Sequence, residues 1–405
     1  MRGLRYSTFS MLKKERLFTP GPTALLPQAQ AAMAAMTMHH RTAEFRAVVS
    51  QTLKRLQAFL ATKNDVILLA SSGTGAMEAA LTNVTSPGER VLVLSAGKFG
   101  ERWEKLAKAY SLSVDLVQLP YGESFGAEHI QGRLLGANAP KVVMIQASES
   151  STGCKHDIAA IARAARAEKS DVLLLIDGIT GVGTQALDID AWDLDFVVGG
   201  SQKAVMMAPG LAYLSVSERA WKAMASAKTP RFYFDLARER KSQAQGETAF
   251  TPAIGLIAAL NAALEYIETI GGRAGLTANA ETLGAATRAA LDALGLKRFG
   301  NGQPSGALTA IEMPAGLDSG LVVKALRQQF GSVVANGQGE MKGQMIRVAH
   351  LGYYDFAETL SLIAQLEIVL EQLGKLDRAK LGAGVRAAQV YYLAQQAAQK
   401  ASAKA

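Results

Sequence analysis

Two apolar runs near the middle of this 405-residue chain end on side chains that could do chemistry. Leu173-Leu174-Leu175-Ile176 stops at Asp177. A second run, through Gly199-Gly200, stops at Ser201-Gln202-Lys203, which sets a carboxylate and an amine 26 residues apart. Both runs are short, rich in Leu, Ile or Val, and do not alternate, the pattern of strands buried on both faces in a parallel sheet. Ligands of open α/β sheets sit beyond the carboxyl ends of such strands, so Asp177 and Lys203 are expected to face one crevice. An amine able to form a Schiff base and an acid able to pair with a ring nitrogen are what pyridoxal phosphate requires. The plain alternative is two strands that merely finish on polar residues.

The surrounding elements must place that pair. Further strands are expected at 66–70, 90–94, 114–119, 141–146 and 211–216, which makes seven in all. Helical stretches separate them, including 43–60 behind Thr42 as N-cap and 157–168 behind Asp157. This is an α/β layout with a mainly parallel sheet. The first strand runs into Ser71-Ser72-Gly73-Thr74-Gly75 and a helix start, an arrangement suited to an anion and equally to a tight turn. It is neither a dinucleotide fingerprint nor a Walker loop. Phe99 stands where a strand end becomes a helix; it offers packing or a flat face for a ring. Four hydroxyls and Glu149 crowd the turn at 148–152, more than a turn needs. Residues 18–26 hold two prolines around Gly21 and form a linker or an arm lying across a site. A helix over 27–37 follows. The stretch 229–251 is polar and irregular, with Arg231, Arg238 and Arg240. A nearly all-apolar helix at 253–270 ends at Gly271-Gly272. Beyond it come helix 276–294, strand 307–313, helix 319–329, strand 345–349 and helix 355–373. The expected division is an arm over 1–23, a large domain over 24–270, a small α+β domain over 271–380, and a tail over 381–405 that forms a final helix.

Composition narrows the class. Hydrophobic residues make up 49% and charged residues 19%, so core material is ample for a globular chain. No apolar run reaches the length of a membrane span, and the first twenty residues lack a secretory h-region. Met11 is an alternative start. Cys154 is the single cysteine, which leaves no internal disulfide and no all-cysteine metal or cluster site. A cytoplasmic protein without a metal site is the simplest expectation. The net charge of +8 is scattered rather than clustered among aromatics, which argues against nucleic acid as a partner. Of the five histidines, His39, His40 and His350 are expected to be structural, and His129 and His156 to lie on the surface.

Taken together, these pieces resemble the class V aminotransferases, of fold type I among pyridoxal phosphate enzymes, and within them the serine/alanine–glyoxylate group. The matching residues are Pro20-Gly21-Pro22-Thr23, His40-Arg41-Thr42, Ser72-Gly73-Thr74-Gly75 with Glu78-Ala79, and Glu149-Ser150-Ser151-Thr152-Gly153. They continue through Asp177-Gly178, Ser201-Gln202-Lys203 with Pro209-Gly210, and Arg347-Val348-Ala349-His350-Leu351-Gly352. The resemblance covers about residues 18–375. It implies Lys203 as the lysine bonded to the cofactor and as the acid and base of the proton shift. It implies Asp177 on the pyridinium nitrogen and Ser72, Gly73, Thr74 and Gln202 on the phosphate. It puts Phe99 on the ring face and Thr152, or Ser151, near the ring edge. Thr248 or Thr251 would reach the cofactor of a partner subunit, so a homodimer is implied. Arg347 would clamp the substrate α-carboxylate, and Gly21 is a second substrate-binding residue. Two positions depart from the family: Phe99 where tryptophan is common, and Gly178 where alanine is usual.

The implied reaction moves an amino group from a small amino acid (alanine or serine, with aspartate a further candidate) to a 2-oxo acid such as glyoxylate or pyruvate. Two alternatives remain: a lyase-type relative with the same cofactor, or a partner-associated subunit of a redox complex. A desulfurase needs a mobile cysteine beyond the lysine, and Cys154 precedes it.

Overall fold

The computed structural model describes residues 12–35 and 38–402. Met11, the first part of the expected arm and the last two residues of the helix expected over 27–37 lie outside these residues. The frame is a seven-stranded sheet in the order Asp65–Leu69, Ala212–Val216, Phe196–Gly200, Leu173–Asp177, Val142–Gln146, Arg90–Ser95, Ser113–Gln118. Ala212–Val216 is antiparallel to both neighbours, and every other pairing is parallel. The mainly parallel α/β sheet expected from the sequence is therefore present.

The strands read as continuous apolar runs because each feeds two cores. Successive side chains point to opposite faces. Leu174 and Ile176 join a core with the helices Ala43–Leu60, Ile158–Glu168 and Ile254–Thr269. Leu173 and Leu175 join another with Gly73–Val84 and Gly100–Ala109. The helix starts follow their capping residues. Thr42 Oγ1 accepts from Phe45 N–H at 3.3 Å, and Asp157 Oδ1 from Ala160 N–H at 3.0 Å.

A third core lies under the antiparallel sheet Leu308–Glu312, Met345–Ala349 and Ala335–Asn336. Residues 16–18 stitch this region to the N-terminal segment. Arg16–Leu17 pairs with Ser332–Val333, and Phe18 carbonyl accepts from Ala349 N–H at 3.1 Å. The C-terminal helix Ala383–Ser402 packs Ala388 against Ala286 and Ala290 of Gly272–Leu294. No single helix among the described residues is long and apolar enough to cross a membrane.

Three expectations need correction. The polar stretch 229–251 contains a helix, Leu236–Gln243, capped by Asp235. Its polar side chains hid it because some are structural: Gln243 bonds both the N–H and the carbonyl of Leu68 on the edge strand. The helix expected at 276 begins at Gly272, since Gly271 (φ 92°) already makes the bend from the preceding helix. His156 is buried rather than exposed; its Nδ1 accepts from Phe125 N–H at 3.1 Å, and burial lowers its pKa to about 3.

Leu174 is 1% exposed in the middle of the central strands. Leu174→Ala should cost about 2–5 kcal/mol in equilibrium urea unfolding, the range for a buried leucine that leaves a cavity.

Candidate active site

Parallel strands bring several loops to one edge of the sheet. Asp177 ends its strand there, 5% exposed, with Oδ1 accepting from Ile179 N–H at 2.9 Å. Burial raises its pKa to about 6, against that bond and the positive charges of Arg102 and Lys203. The adjacent strand ends at Gly200, and the turn behind it presents Lys203, whose amine donates to the Pro20 carbonyl at 2.6 Å. Burial lowers the lysine to about 8; Asp177 opposes this, and Arg347 and Arg102 add to it. The carboxylate and the amine thus act on each other, as their strand ends led us to expect.

The 18–26 segment lies across this turn rather than serving as a linker. Thr23 N–H donates to Gln202 carbonyl at 3.2 Å, and Leu26 N–H to Met206 carbonyl at 2.9 Å. Gly21 has φ 129°, and a Cβ there would sit 2.2 Å from Lys203 Nζ. Only glycine leaves room for the lysine. Gly178 follows a similar logic: a methyl group would meet Val182 at 2.9 Å and Val197 at 3.0 Å.

Ser72, Gly73 and Thr74 open the helix Gly73–Val84, and Ser72 makes no side-chain cap. That helix end keeps its N–H groups available for an anion. A Cβ at Gly73 would lie 2.3 Å from Ile179, which packs the cradle against the turn beyond Asp177. Gln202 carries a buried Oε1 with no partner.

The third group gathers on Glu149. Its carboxylate accepts from Phe99 N–H (3.1 Å), Gly100 N–H (3.0 Å), Ser151 N–H (3.1 Å) and Ser151 Oγ (2.5 Å). It therefore caps the helix that carries Phe99 and orders the 149–152 turn, where Thr152 Oγ1 donates to Glu149 carbonyl at 3.2 Å. Arg347, in the middle strand of the small sheet, reaches the same turn. Its Nη1 donates to Ser150 carbonyl at 2.9 Å, and its Nε and Nη2 donate to Asn336 carbonyl. These bonds are to neutral carbonyls, so the buried guanidinium keeps an unneutralised charge. Burial lowers its pKa to about 10, against the pull of Glu149.

Within this chain the structure gathers Gly21, Ser72, Gly73, Thr74, Phe99, Thr152, Asp177, Gln202, Lys203 and Arg347 around that edge. Thr248 and Thr251 sit apart, lining a small recess with Leu69, Glu239 and Phe250. Sequence reading gave no role to Glu149 or Arg102. A carboxylate among four hydroxyls was the available signal for Glu149; Arg102 had none beyond its spacing of three from Phe99 on a helix.

The fold and this edge define an enzyme of the pyridoxal phosphate-dependent aminotransferase type. The residues fit that cofactor: an uncapped helix end for a phosphate, a buried acid with one N–H bond for a ring nitrogen, and an amine in a glycine-cleared niche. The family Aminotransferase class-V matches residues 24–354, and the chain belongs to it. It is 35% identical over 387 residues to the L-aspartate–glyoxylate aminotransferase of Paracoccus denitrificans, covering 94% of this chain and 97% of that one. It is 37% identical over 381 residues to a protein of Synechococcus sp. named soluble hydrogenase, small subunit, covering 93% and 98%. The crystal structure of an aspartate aminotransferase of subgroup IV from Thermus thermophilus superposes with a TM-score of 0.82 at 34% identity, covering 88% of this chain and 99% of that one.

Gly21→Ala should leave the fold intact by circular dichroism while weakening cofactor uptake at least about tenfold, read as loss of visible absorbance, because the new methyl takes the place of the lysine amine.

Proposed function

We propose that this enzyme transfers the amino group of a small amino acid to a short 2-oxo acid, with pyridoxal phosphate held between Asp177 and Lys203. The observation that carries the reading is one buried acid and one depressed lysine at neighbouring strand ends, with a cation, Arg347, opposite them. Alanine and serine are the favoured donors, with aspartate next, and glyoxylate or pyruvate the acceptors. Relatives named for glyoxylate transamination from aspartate and from serine support those two donors and glyoxylate as the acceptor.

When bound, pyridoxal phosphate supplies an electron sink for the α-carbon of the amino acid. The chain's own residues do the rest. Asp177 receives the ring N–H and keeps that nitrogen protonated by its charge. Ser72, Gly73, Thr74 and Gln202 hold the phosphate, and Phe99 and Thr152 bound the ring. Lys203, which burial lowers to about 8, loses its proton more readily than an ordinary lysine; it takes the proton from the donor's α-carbon and later gives one to the acceptor's. Arg347, together with Gly21, receives the α-carboxylate, the arginine through its planar fork.

The reading extends to a cytoplasmic homodimer in which Thr248 or Thr251 serves the partner's phosphate. The exposed Phe232 and Tyr233, beside Phe250, support an interface there, and a single free cysteine suits a reducing compartment. It also divides the chain into large and small domains over 24–270 and 271–380. A redox-subunit reading is weaker, since Cys154 cannot supply the thiolates of a cluster.

An amino-donor by oxo-acid activity screen on cofactor-loaded protein tests the proposal; no transfer from any small donor would sink it. In that screen Arg347→Lys should raise KM for the donor about 10- to 100-fold, since a point charge replaces a bidentate clamp. A second expectation concerns pH. Because burial lowers the lysine, its neutral fraction grows as pH rises. Cofactor uptake by the unloaded protein should therefore quicken about tenfold per unit up to pH 8 and level off above it, as stopped-flow absorbance would show.

A further inference from the structure

Arg102 touches two of the residues placed around the cofactor. It lies in the first turn of the helix Gly100–Ala109, three residues beyond Phe99. Its guanidinium lies over the Phe99 ring, 4.8 Å from the centroid. Its Nη1 donates to Thr74 Oγ1 at 3.1 Å. One side chain therefore links the residue proposed for the ring face to a residue proposed for the phosphate.

Two details make this more than a bolt between helices. First, no ion pair joins Arg102 to a carboxylate among the described residues, whereas Glu101 beside it is held by Lys98 and Lys105. A half-buried cation without a carboxylate partner at the edge of the site is free to pair with a bound anion. Second, Thr74 Oγ1 accepts from Arg102, which leaves its own O–H to be given elsewhere. Thr74 donates that proton to no protein acceptor among the described residues. The hydroxyl, the uncapped helix end and the guanidinium together offer donors to an acceptor-rich dianion. The charge also acts within the site, favouring the ionised form of Asp177 and the neutral form of Lys203.

We infer that Arg102 is a further cofactor-binding residue: it supplies the cationic wall of the phosphate cradle, turns the Thr74 hydroxyl toward the phosphate and pins Phe99 against the ring. This rests on the reading of the site as one for pyridoxal phosphate. The ligand chemistry recognised is a phosphate monoester, so most of the effect of Arg102 must depend on the phosphate, with a small remainder through Phe99.

The test is a pair of titrations of unloaded protein, one with pyridoxal phosphate and one with pyridoxal, which lacks the phosphate. Binding is followed by visible absorbance and by quenching of tryptophan fluorescence. Arg102→Met should weaken pyridoxal phosphate about 10- to 100-fold and pyridoxal less than about threefold, with a flatter salt dependence. Arg102→Lys, which keeps the charge but loses the fork and the stacking, should fall between wild type and Arg102→Met for the phosphate compound. Circular dichroism and melting of the unloaded variants report folding; if Arg102→Met is unfolded, Arg102→Lys carries the comparison. Equal losses for both compounds, or no loss for either, would overturn the inference. A wild-type protein that binds neither compound would overturn the cofactor reading itself, and this inference with it.

Discussion

The buried carboxylate of Glu149 is the constraint on which the site depends. Taking a charge out of water costs several kcal/mol unless hydrogen bonds and opposite charge replace the lost solvent. Here burial raises the carboxyl's pKa, and the N–H groups of Phe99, Gly100 and Ser151 with the Ser151 hydroxyl lower it. Two of those donors lie at the start of the helix Gly100–Ala109, where the helix dipole also favours an anion. The carboxylate thus fixes the angle at which that helix leaves the sheet. Phe99 and Arg102 take their positions from it. A Cβ at Gly97 would lie 2.4 Å from the carboxyl carbon, so the loop closes directly onto the charge.

The turn that this carboxylate orders also meets parts of the chain that share no sequence neighbourhood with it. Arg347 lies almost two hundred residues beyond Ser150, yet bonds its carbonyl. Residues 18–26 run beneath Lys203 and link onward to the small sheet through Phe18. A substitution in any of these three segments therefore shifts groups in the other two, and their effects are not expected to add.

Much of this was legible in the sequence. Parallel strands buried on both faces leave unbroken apolar runs, and parallel direction puts all their carboxyl ends on one edge, so Asp177 and Lys203 could be placed together from pattern alone. Capping residues such as Thr42 and Asp157 marked helix starts because their side chains do one local job. Other features depended on tertiary partners. Helix Leu236–Gln243 has no apolar stripe, because it satisfies the backbone of an edge strand with Gln243 and pairs Arg240 with Asp65. His156 looked polar but closes a buried turn around Phe125. Arg102 sits among Glu101, Glu104 and Lys105 and reads as one more charge on a solvated helix. Only the packing of two helix starts turns it inward.

This separation explains why cofactor chemistry is easier to read than substrate choice. The cofactor is recognised by backbone N–H groups, one acid and one lysine at fixed topological points, and the fold dictates those points. The donor side chain has no comparable anchor. Near Arg347 the available walls are the Asn336 carbonyl and the turn at 337–341, where Lys98 comes within 3.2 Å of the space a Gly339 Cβ would fill. Lys98 also holds Glu101, whose carboxylate bonds the Tyr121 hydroxyl. The rim near Arg347 is therefore held by contacts the chain makes with itself, and no point fixed by the sheet topology reads the donor side chain as the strand ends read the cofactor.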